Sequence, residues 1–491
     1  MPRSTIARST IAILTLGATI CAAPITLTGQ SSSPEIQRHI DKVAACLTGP
    51  VVEKDEACQT LKQRMAEEHV PGVSIAVIHN GAIEWAQGFG VAQLNGAPVT
   101  AETLFQAGSI SKPVAAMAAL HLVQQGKLSL DSDVNLSLKS WKVPASDAAP
   151  GATVTLRELL THTAGFTVHG FPGYAANEAV PTLIQVLNGE KPANTAPIRL
   201  ESPPKSKWNY SGGGYTVMQQ MVLDVGQQSF PKLLHDTVLA PIEMTHSTYE
   251  QPLPAGMRSS AATPYNDDGT PIKGGAHTYP EMAAAGLWTT PSDIARYILE
   301  NQRSLEGKAN HVLSLEMTKE MMTAGQGHWG LGLQIGGADT NPYFSHGGVN
   351  EGFESLFVGY EKTGEGAVVM TNARGGSQLA QEVMNSIAAE YHWPDFHPIV
   401  RTAVKVDPAI LARYSGNFEQ DPNFSITITL ENNRLMFKPG GGPGFPLFPE
   451  SETEFFLKIA DVQVEFVKDD KGQVSSLIVH QNGHDMKAVK K

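Results

Sequence analysis

The spacing of apolar and polar positions divides the chain into two parts of different texture. In the first part, Thr60–Val70 has the spacing of an amphipathic helix, and two apolar runs then flank Asn80-Gly81, a dipeptide typical of a tight β-hairpin. Strand patterns return at Phe353–Tyr360 and Ala367–Asn372, and a helix is predicted from about Ser377 to Tyr391. Between these elements, helical stretches alternate with loops rich in glycine and proline. The pattern predicts a mixed α/β domain.

Past Pro394 the helical spacing gives way to short alternating segments. Turn-forming clusters rich in asparagine, glycine or proline separate these segments. The segments are Phe424–Leu430, Arg434–Lys438, Glu454–Lys458, Val462–Lys468 and Val474–His480. Short strands at such spacing predict a small antiparallel β-barrel domain, here over residues 405–491.

One helix is predicted to be buried on nearly all sides. Pro113–Val123 contains a single polar side chain, that of His121. Directly before it stand Ser109 and Lys112, which share a face if a helix begins at Ser109. Burial lowers the pKa of a lysine, so a lysine at this position is available as a base for the serine hydroxyl. The alternative interpretation is ordinary helix-start chemistry, because serine is also a favoured N-cap residue.

The same S-x-x-K spacing occurs at two other places in the chain. Ser202 and Lys205 enclose two prolines, which favour extended or turn structure and keep the two side chains from lying one helical turn apart. Ser229 and Lys232 begin a stretch with the polar pattern of a surface helix. Ser109 is therefore the strongest of the three candidates.

Composition and charge limit the class of protein. A chain of 491 residues with 41% hydrophobic and 17% charged residues indicates a soluble globular protein of two or three domains. The net charge of −12, with acidic residues spread along the chain, argues against a nucleic-acid partner, which requires clustered lysine and arginine. No H-E-x-x-H or paired-cysteine pattern is present, so neither a metal site nor a cofactor is predicted.

The N-terminus has the pattern of a secretory signal peptide, predicted over residues 1–29. Two arginines precede an apolar run that is short for a membrane span, and small residues near Ala23 offer a cleavage site. An uncleaved membrane anchor is the alternative. After cleavage we expect no stable membrane span and a periplasmic or secreted protein. Cys46 and Cys58 would then be the remaining cysteines, either joined in a disulfide or both reduced.

Two further stretches hold side chains suited to a reaction centre. "WNYSGGGYT" places Tyr210 beside small residues, where its hydroxyl can relay a proton; the alternative is a core tyrosine in a glycine-rich turn. "FSHGGVNEGF" supplies His346 and paired glycines, which permit close approach of the backbone to a ligand. His162, in "THTAG", is expected to be structural rather than catalytic.

In this order the motifs resemble those of the serine β-lactamase and penicillin-recognising family, in particular its branch of class C β-lactamases, esterases and D-aminopeptidases. Ser109 to Lys112 matches the family's S-x-x-K, Tyr210-Ser211-Gly212 its Y-S-N, and His346-Gly347-Gly348 its K-T-G or H-x-G. The resemblance extends from about Thr60 to Tyr391. It implies an α/β fold of the β-lactamase/transpeptidase type over residues 30–394, in which helices flank an antiparallel sheet and form an added lobe. The C-terminal segment resembles the lipocalin-like tail that some of these enzymes carry.

The resemblance also implies a role for each matched residue. Ser109 would be the nucleophile that forms an acyl-enzyme, and Lys112 and Tyr210 would share the general-base and general-acid work. Which of the two takes the first proton is left open. The backbone N–H groups of Ser109 and Val349 would form the oxyanion hole. The substrate-binding positions would be His346, Gly347, Gly348 and Gly212.

A literal K-T-G sequence stands at Lys362-Thr363-Gly364. It lies between two predicted strands and has glutamates on both sides, which is typical of a solvated hairpin tip. His346 instead opens the strand pair, where the family places its third motif. We therefore interpret His346, not Lys362, as the third motif.

Two departures from the family pattern bear on the substrate. Gly212 has no side chain where the family's asparagine contacts the substrate amide, and His346 replaces a permanent cation. Both changes predict weak hydrolysis of β-lactams. We expect an exported serine hydrolase for esters, small amides or D-amino-acid peptides. The alternatives are a class C-like β-lactamase, a D-alanyl-D-alanine carboxypeptidase, or a penicillin-binding or sensing protein with little turnover. The expected partner is a small-molecule or short-peptide substrate, and the oligomeric state is left open.

Overall fold

An antiparallel sheet forms the centre of the first part of the chain. The computed structural model describes residues 33–94, 96–422, 424–481 and 483–491, so the predicted signal peptide lies outside the described residues. The strands of this part are β1 (Val51–Glu53), β2 (Gly72–His79), β3 (Ala82–Gly90), β4 (Phe105–Gln106), β5 (Trp288–Thr289), β6 (Gln334–Ala338), β7 (Asn341–Asn350), β8 (Phe353–Tyr360), β9 (Gly366–Thr371) and β10 (Ile399–Arg401). The central sheet has the order β3-β2-β9-β8-β7-β6, and β4 pairs with β5 and β1 with β10 beside it.

Helices surround this sheet. They are α1 (Pro34–Ala45), α2 (Leu61–Glu67), α3 (Ser111–Gln124), α4 (Val134–Ser137), α5 (Leu156–Leu160), α6 (Leu183–Asn188), α7 (Gly212–Gly226), α8 (Phe230–Leu234), α9 (Met282–Ala285), α10 (Pro291–Leu305), α11 (Leu315–Met322) and α12 (Gly376–Glu390). Apolar side chains of α1 and α12 pack on one face of the sheet. The other face carries α3 and α10, and the lobe built from α4 to α9 continues the same core. None of the helices in the described residues has the length and apolarity needed to span a bilayer.

The prediction of a buried helix after Ser109 is confirmed, but the helix starts later than predicted. Residues 114–120 of α3 are at most 1% exposed. Because Gly108 has φ of +52°, which glycine adopts without steric cost, the chain turns sharply after β4. Gly108–Ile110 then form a 3₁₀ turn, and α3 begins at Ser111. Ser109 therefore lies in the turn that leads into the helix.

Two other local predictions are confirmed, and one open question is answered. Asn80 and Gly81 form the turn between β2 and β3, both with positive φ, as this hairpin type requires. The helix predicted from about Ser377 to Tyr391 is α12, shifted by one residue. Cys46 and Cys58, which the sequence left either bonded or reduced, are joined in a disulfide.

The C-terminal part forms a second, barrel-shaped sheet. Its elements are the helix α13 (Pro408–Leu411) and the strands β11 (Gly416–Asp421), β12 (Phe424–Glu431), β13 (Arg434–Pro439), β14 (Phe445–Pro446), β15 (Phe448–Pro449), β16 (Glu454–Phe456), β17 (Val462–Lys468), β18 (Val474–Gln481) and β19 (His484–Lys490). The order is β14-β13-β12-β11-β19-β18-β17-β16-β15, all antiparallel. Only Leu447 separates β14 from β15, the two ends of this order, so the sheet nearly closes on itself. The predicted barrel and its five predicted strands are confirmed.

Candidate active site

The 3₁₀ turn at Gly108–Ile110 and strand β7 meet at very short range. A Cβ atom on Gly108 would lie 2.5 Å from the backbone nitrogen of Val349, and one on Gly348 would overlap the carbonyl of Ala107. β6 pairs with β7 only from Asn341 to Ser345, so in the described chain the edge of β7 beyond Ser345 faces this turn instead of a strand. Glycine at both positions thus allows the backbone at Ser109 to approach the open edge of β7.

Lys112 lies against Ser109 inside the protein. Its Nζ is 2.8 Å from Ser109 Oγ and 2.9 Å from the carbonyl oxygen of Ala284 in α9. The lysine is 2% exposed, and burial lowers its pKa from 10.5 to about 7. Within the described residues, no carboxylate forms a salt bridge with this lysine. A neutral form of Lys112 is therefore available near neutral pH, and a neutral amine next to a serine hydroxyl can accept its proton.

Tyr210 completes the group of three side chains. It precedes Ser211, the N-cap residue of α7, whose hydroxyl accepts the N–H of Gly214. Ser109 partly offsets the effect of burial on the pKa of the Tyr210 hydroxyl, and Lys112 Nζ lies 5.0 Å from the centre of the Tyr210 ring. Burial raises the pKa of Tyr210 well above its usual range, so this hydroxyl stays protonated at neutral pH.

His162 lies under Tyr210, in a position that the sequence did not reveal. The two ring centres are 4.2 Å apart, and His162 Nδ1 accepts the backbone N–H of Ser211 at 3.1 Å. Trp208 and Trp329 pack edge-on against the same imidazole. Burial and the neighbouring charge of Lys112 lower the pKa of His162 well below its usual range. A neutral imidazole thus supports the tyrosine ring, in agreement with the structural role expected for this histidine.

His346 is buried at the same centre. It lies on β7, is 4% exposed and packs edge-on against Trp329 with ring centres 5.4 Å apart. Burial, and then the charge of Lys112, lower the pKa of His346 to about 3. Its Nε2 has no hydrogen-bond partner among the described residues. The third motif therefore brings a neutral imidazole, not a cation, next to Lys112.

The remaining predicted positions are backbone groups on β7, on the 3₁₀ turn and at the start of α7. Gly347, Gly348 and Val349 follow His346 along β7, and the side chain of Val349 is 60% exposed at the rim of the site. The backbone N–H groups of Ser109 and Val349 come from the two segments that touch at Gly108. Gly212 is the first residue of α7, two positions after Tyr210. The structure thus brings Ser109, Lys112, Tyr210, His346 and Val349 together, and the three predicted glycines adjoin them along β7 and α7.

The rejected motifs lie elsewhere. Lys205 points to solvent and pairs with Glu158, and Lys232 pairs with Asp236 on the protein surface. Lys362 lies in the exposed turn between β8 and β9 and donates to the carbonyl oxygen of Asp339 at 2.9 Å. Ser202 lies in a loop and Ser229 caps the short helix α8. None of these lysines approaches a serine in the way that Lys112 approaches Ser109. The described residues also hold no group of three or more potential metal ligands.

This arrangement ranks the two possible third motifs. We expect His346→Ala to lower kcat/KM by tenfold or more, because it removes a buried side chain beside Tyr210 and Lys112. Lys362→Ala should leave kcat/KM within about twofold, since surface substitutions usually change stability by less than about 0.5 kcal/mol. Steady-state kinetics on one ester substrate measures both. A larger loss in Lys362→Ala than in His346→Ala would contradict the ranking.

Known proteins share sequence with both parts of the chain. The sequence model of the family described as Beta-lactamase matches residues 58–389, and a model described as Domain of unknown function (DUF3471) matches residues 400–490. Penicillin-binding protein 4* of Bacillus subtilis (strain 168) is 21% identical over 467 residues, which is 89% of this chain and 99% of that protein. Protein flp of Staphylococcus aureus (strain N315) is 24% identical over 330 residues, which is 64% of this chain and 61% of that protein.

Solved structures are similar to this chain in fold. The octameric penicillin-binding protein homologue from Pyrococcus abyssi superposes with a TM-score of 0.60 at 20% identity, over 88% of this chain and 98% of that one. The D-alanine carboxypeptidase AmpC from Burkholderia cenocepacia gives a TM-score of 0.53 at 19% identity, over 72% of this chain and 99% of that one. These similarities confirm the β-lactamase/transpeptidase-like fold that the sequence predicts.

Proposed function

Because this chain belongs to the beta-lactamase family, we propose that it is an exported serine hydrolase that cleaves esters, small amides or D-amino-acid peptides through an acyl-serine intermediate. The observation that carries the proposal is the contact of 2.8 Å between Ser109 Oγ and the amine of Lys112, whose pKa burial lowers to about 7. Export is proposed from the pattern of residues 1–29 and the oxidised pair Cys46–Cys58.

The reaction begins when the neutral amine of Lys112 takes the proton of Ser109 Oγ as this oxygen attacks the substrate carbonyl carbon. The pKa values favour Lys112 over Tyr210 for this first step, since Tyr210 holds its own proton at neutral pH. The backbone N–H groups of Ser109 and Val349 donate to the oxyanion of the tetrahedral intermediate.

The second half of the cycle returns the enzyme to its starting state. The bond from the carbonyl carbon to the leaving group breaks, and the leaving group takes a proton from the Lys112–Tyr210 pair. This leaves an ester between the acyl group and Ser109. Water then attacks the ester carbonyl carbon, the same pair accepts a proton from the water, and Ser109 Oγ regains a proton as the acid departs.

Within this function, we expect activated short-chain esters to be better substrates than penicillins or cephalosporins. Gly212 lacks a side chain to bind a substrate amide, and a neutral His346 gives no permanent cation for the β-lactam carboxylate. A lost hydrogen bond costs about 1 kcal/mol and more when a charge takes part. Together the two losses predict a disadvantage of roughly 2–4 kcal/mol, or about 30- to 1,000-fold in kcat/KM.

The test compares p-nitrophenyl butyrate with a chromogenic cephalosporin on one preparation, with Ser109→Ala as the blank for both. A cephalosporin that is turned over faster than the butyrate would make the protein a β-lactamase. Acyl-enzyme lifetimes from mass spectrometry separate an enzyme from a penicillin-binding protein, because in the latter the acyl group stays on Ser109.

A second candidate function is that of a D-alanyl-D-alanine carboxypeptidase. It is supported by the similar fold of the D-alanine carboxypeptidase AmpC from Burkholderia cenocepacia. Release of D-alanine from a D-alanyl-D-alanine peptide, measured alongside the esters, distinguishes this activity from the proposed one.

A further inference from the structure

A short segment, Phe166–Phe171, lies across the second motif; we refer to it as the strap. Gly213 donates its backbone N–H to the carbonyl of Val168 at 2.9 Å, and Ser211 Oγ donates to the carbonyl of Thr167 at 3.1 Å. The imidazole Nδ1 of His169 lies 2.5 Å from the carbonyl oxygen of Tyr210. The strap therefore bonds to the backbone at Tyr210 and at the first turn of α7.

The backbone of the strap is strained at one position. Val168 has φ of +64°, a left-handed conformation that is rare for a β-branched side chain. Such conformations persist where the surroundings determine them, and they concentrate at functional sites. Here the carbonyl of Val168 accepts the Gly213 N–H, and the chain then delivers Phe171 to Gly212 three residues later.

The ring of Phe171 occupies the space into which a side chain at position 212 would project. A Cβ atom on Gly212 would lie 2.8 Å and 3.3 Å from two atoms of this ring. Real Cβ atoms do not approach ring carbons to 2.8 Å, so a larger residue at 212 requires the ring to move. Phe171 is half-buried and packs against the main core with part of its surface open. An aromatic ring therefore fills the space beside Gly212, the position at which the family motif has asparagine.

We propose that Phe171 is a specificity-determining residue, whose ring contacts the acyl group of the substrate and favours apolar acyl groups over those that carry an amide. The inference rests on the proposed function and names its substrate class. Contact with the Phe171 ring buries the hydrocarbon of an apolar acyl group and so stabilises the bound substrate. A substrate amide at the same place has no hydrogen-bond partner on the ring, and an unpaired buried amide lowers the rate. Compared with the family motif, this chain has no asparagine side chain at position 212, and the Phe171 ring fills the space beside it.

Two p-nitrophenyl esters of similar shape test this pair: 4-methylpentanoate, which is apolar, and N-acetylglycinate, which places an amide at the corresponding atoms. Intrinsic reactivity differs between the two, so the measured quantity is the ratio of their kcat/KM values, corrected for spontaneous hydrolysis, in each variant relative to the wild type. We expect Phe171→Ala to lower this ratio of apolar to amide ester by about tenfold or more, the range for a lost hydrophobic contact.

Four further variants sharpen the result. Phe171→Leu keeps an apolar wall and should keep the ratio within about threefold of the wild type. Gly212→Asn should lose activity on both esters because its side chain meets the ring. Phe171→Ala with Gly212→Asn removes that overlap and should favour the amide ester further than Phe171→Ala alone. Phe445→Ala, which removes a half-buried ring from β14, controls for general loss of an aromatic residue and should leave the ratio unchanged.

The outcomes separate the two levels of the proposal. If Phe171→Ala leaves the ratio unchanged, whether or not the two kcat/KM values fall, the ring is structural. The inference is then wrong while the proposed function stands. If the wild type hydrolyses neither ester and Ser109 is not labelled by a fluorophosphonate, the proposed function fails and the inference fails with it. Thermal unfolding of each variant identifies any that does not fold. If Phe171→Ala does not fold, Phe171→Gln decides, because a polar side chain there should lower the ratio, whereas an unchanged ratio in a folded Phe171→Gln would mean that the inference is wrong.

Discussion

Replacing Ser109 by alanine is expected to abolish ester turnover and labelling by fluorophosphonates. The hydroxyl is the nucleophile in the proposed reaction, and loss of a serine nucleophile lowers kcat by on the order of 10⁴- to 10⁶-fold. Fold and stability should change little, because Ser109 lies in a 3₁₀ turn and alanine removes a single hydroxyl, which accepts a hydrogen bond from Lys112 Nζ. Steady-state kinetics and gel-based labelling measure the two effects.

Two matched variants serve as controls, since each removes the serine of another S-x-x-K sequence. Ser202→Ala and Ser229→Ala should retain wild-type turnover and labelling, because Lys205 and Lys232 pair with carboxylates away from the site. Full labelling of Ser109→Ala would overturn the assignment of the nucleophile. A partial loss of labelling in Ser109→Ala would indicate that a second nucleophile also reacts.

Much of the fold could be predicted because its signals are local. The Asn80-Gly81 turn, the apolar run of α3 and the alternation in β12, β13, β17 and β18 each depend on residues close in sequence. Strands β11 and β19 could not be predicted, since their sequences "GNFEQD" and "HDMKAVK" are mostly polar. Each buries a single apolar side chain, Phe418 or Ala488, and the strands form because their backbones pair with neighbours. Pairing of this kind is a tertiary effect.

In the candidate site, too, the local contacts could be predicted from the sequence and the long-range contacts could not. Ser109 and Lys112 are three residues apart, so sequence spacing was enough to pair them. The supporting contacts are long-range: His162 meets the Tyr210 ring across 48 positions, and Phe171 meets Gly212 across 41 positions. A glycine in place of the family asparagine signals a missing contact but does not reveal what fills the space. For Phe171 that information came only from the folded chain.

The change with the second-largest expected effect is Lys112→Met, which removes the proposed base and keeps the length of the side chain. General-base removal costs about 10²- to 10⁴-fold in rate, and we expect a loss of this size in kcat/KM. The free energy of unfolding, in contrast, should increase in this variant. An unfolded lysine holds its proton up to about pH 10.5, and the folded Lys112 releases it near pH 7. Below pH 7 the folded chain therefore buries a charged amine at a cost in stability, and methionine removes this cost.

Thermal unfolding across pH checks the stability part of this prediction. Lys112→Met should be more stable than the wild type at pH 6, and its advantage should shrink as the pH rises from about 7 to about 10.5. An advantage that is constant over this range would contradict the proposed titration, since only a group with different pKa values in the folded and unfolded chains produces the change.

The activity of the wild type should depend on the same titration. We expect kcat/KM to rise with pH through about 7 and to level off above it, as Lys112 becomes neutral. The groups packed around this amine do not titrate there: the pKa values of His162 and His346 are lowered, and that of Tyr210 is raised.

Another buried group, Glu281, has a pKa in the same range, because burial raises it to about 8. Glu281 is the N-cap residue of α9, the helix whose Ala284 carbonyl accepts from Lys112. The decisive control is therefore Glu281→Gln. If the rise near pH 7 persists in that variant, it belongs to Lys112; if the rise vanishes there, Glu281 is the titrating group and Lys112 is not the base that limits activity.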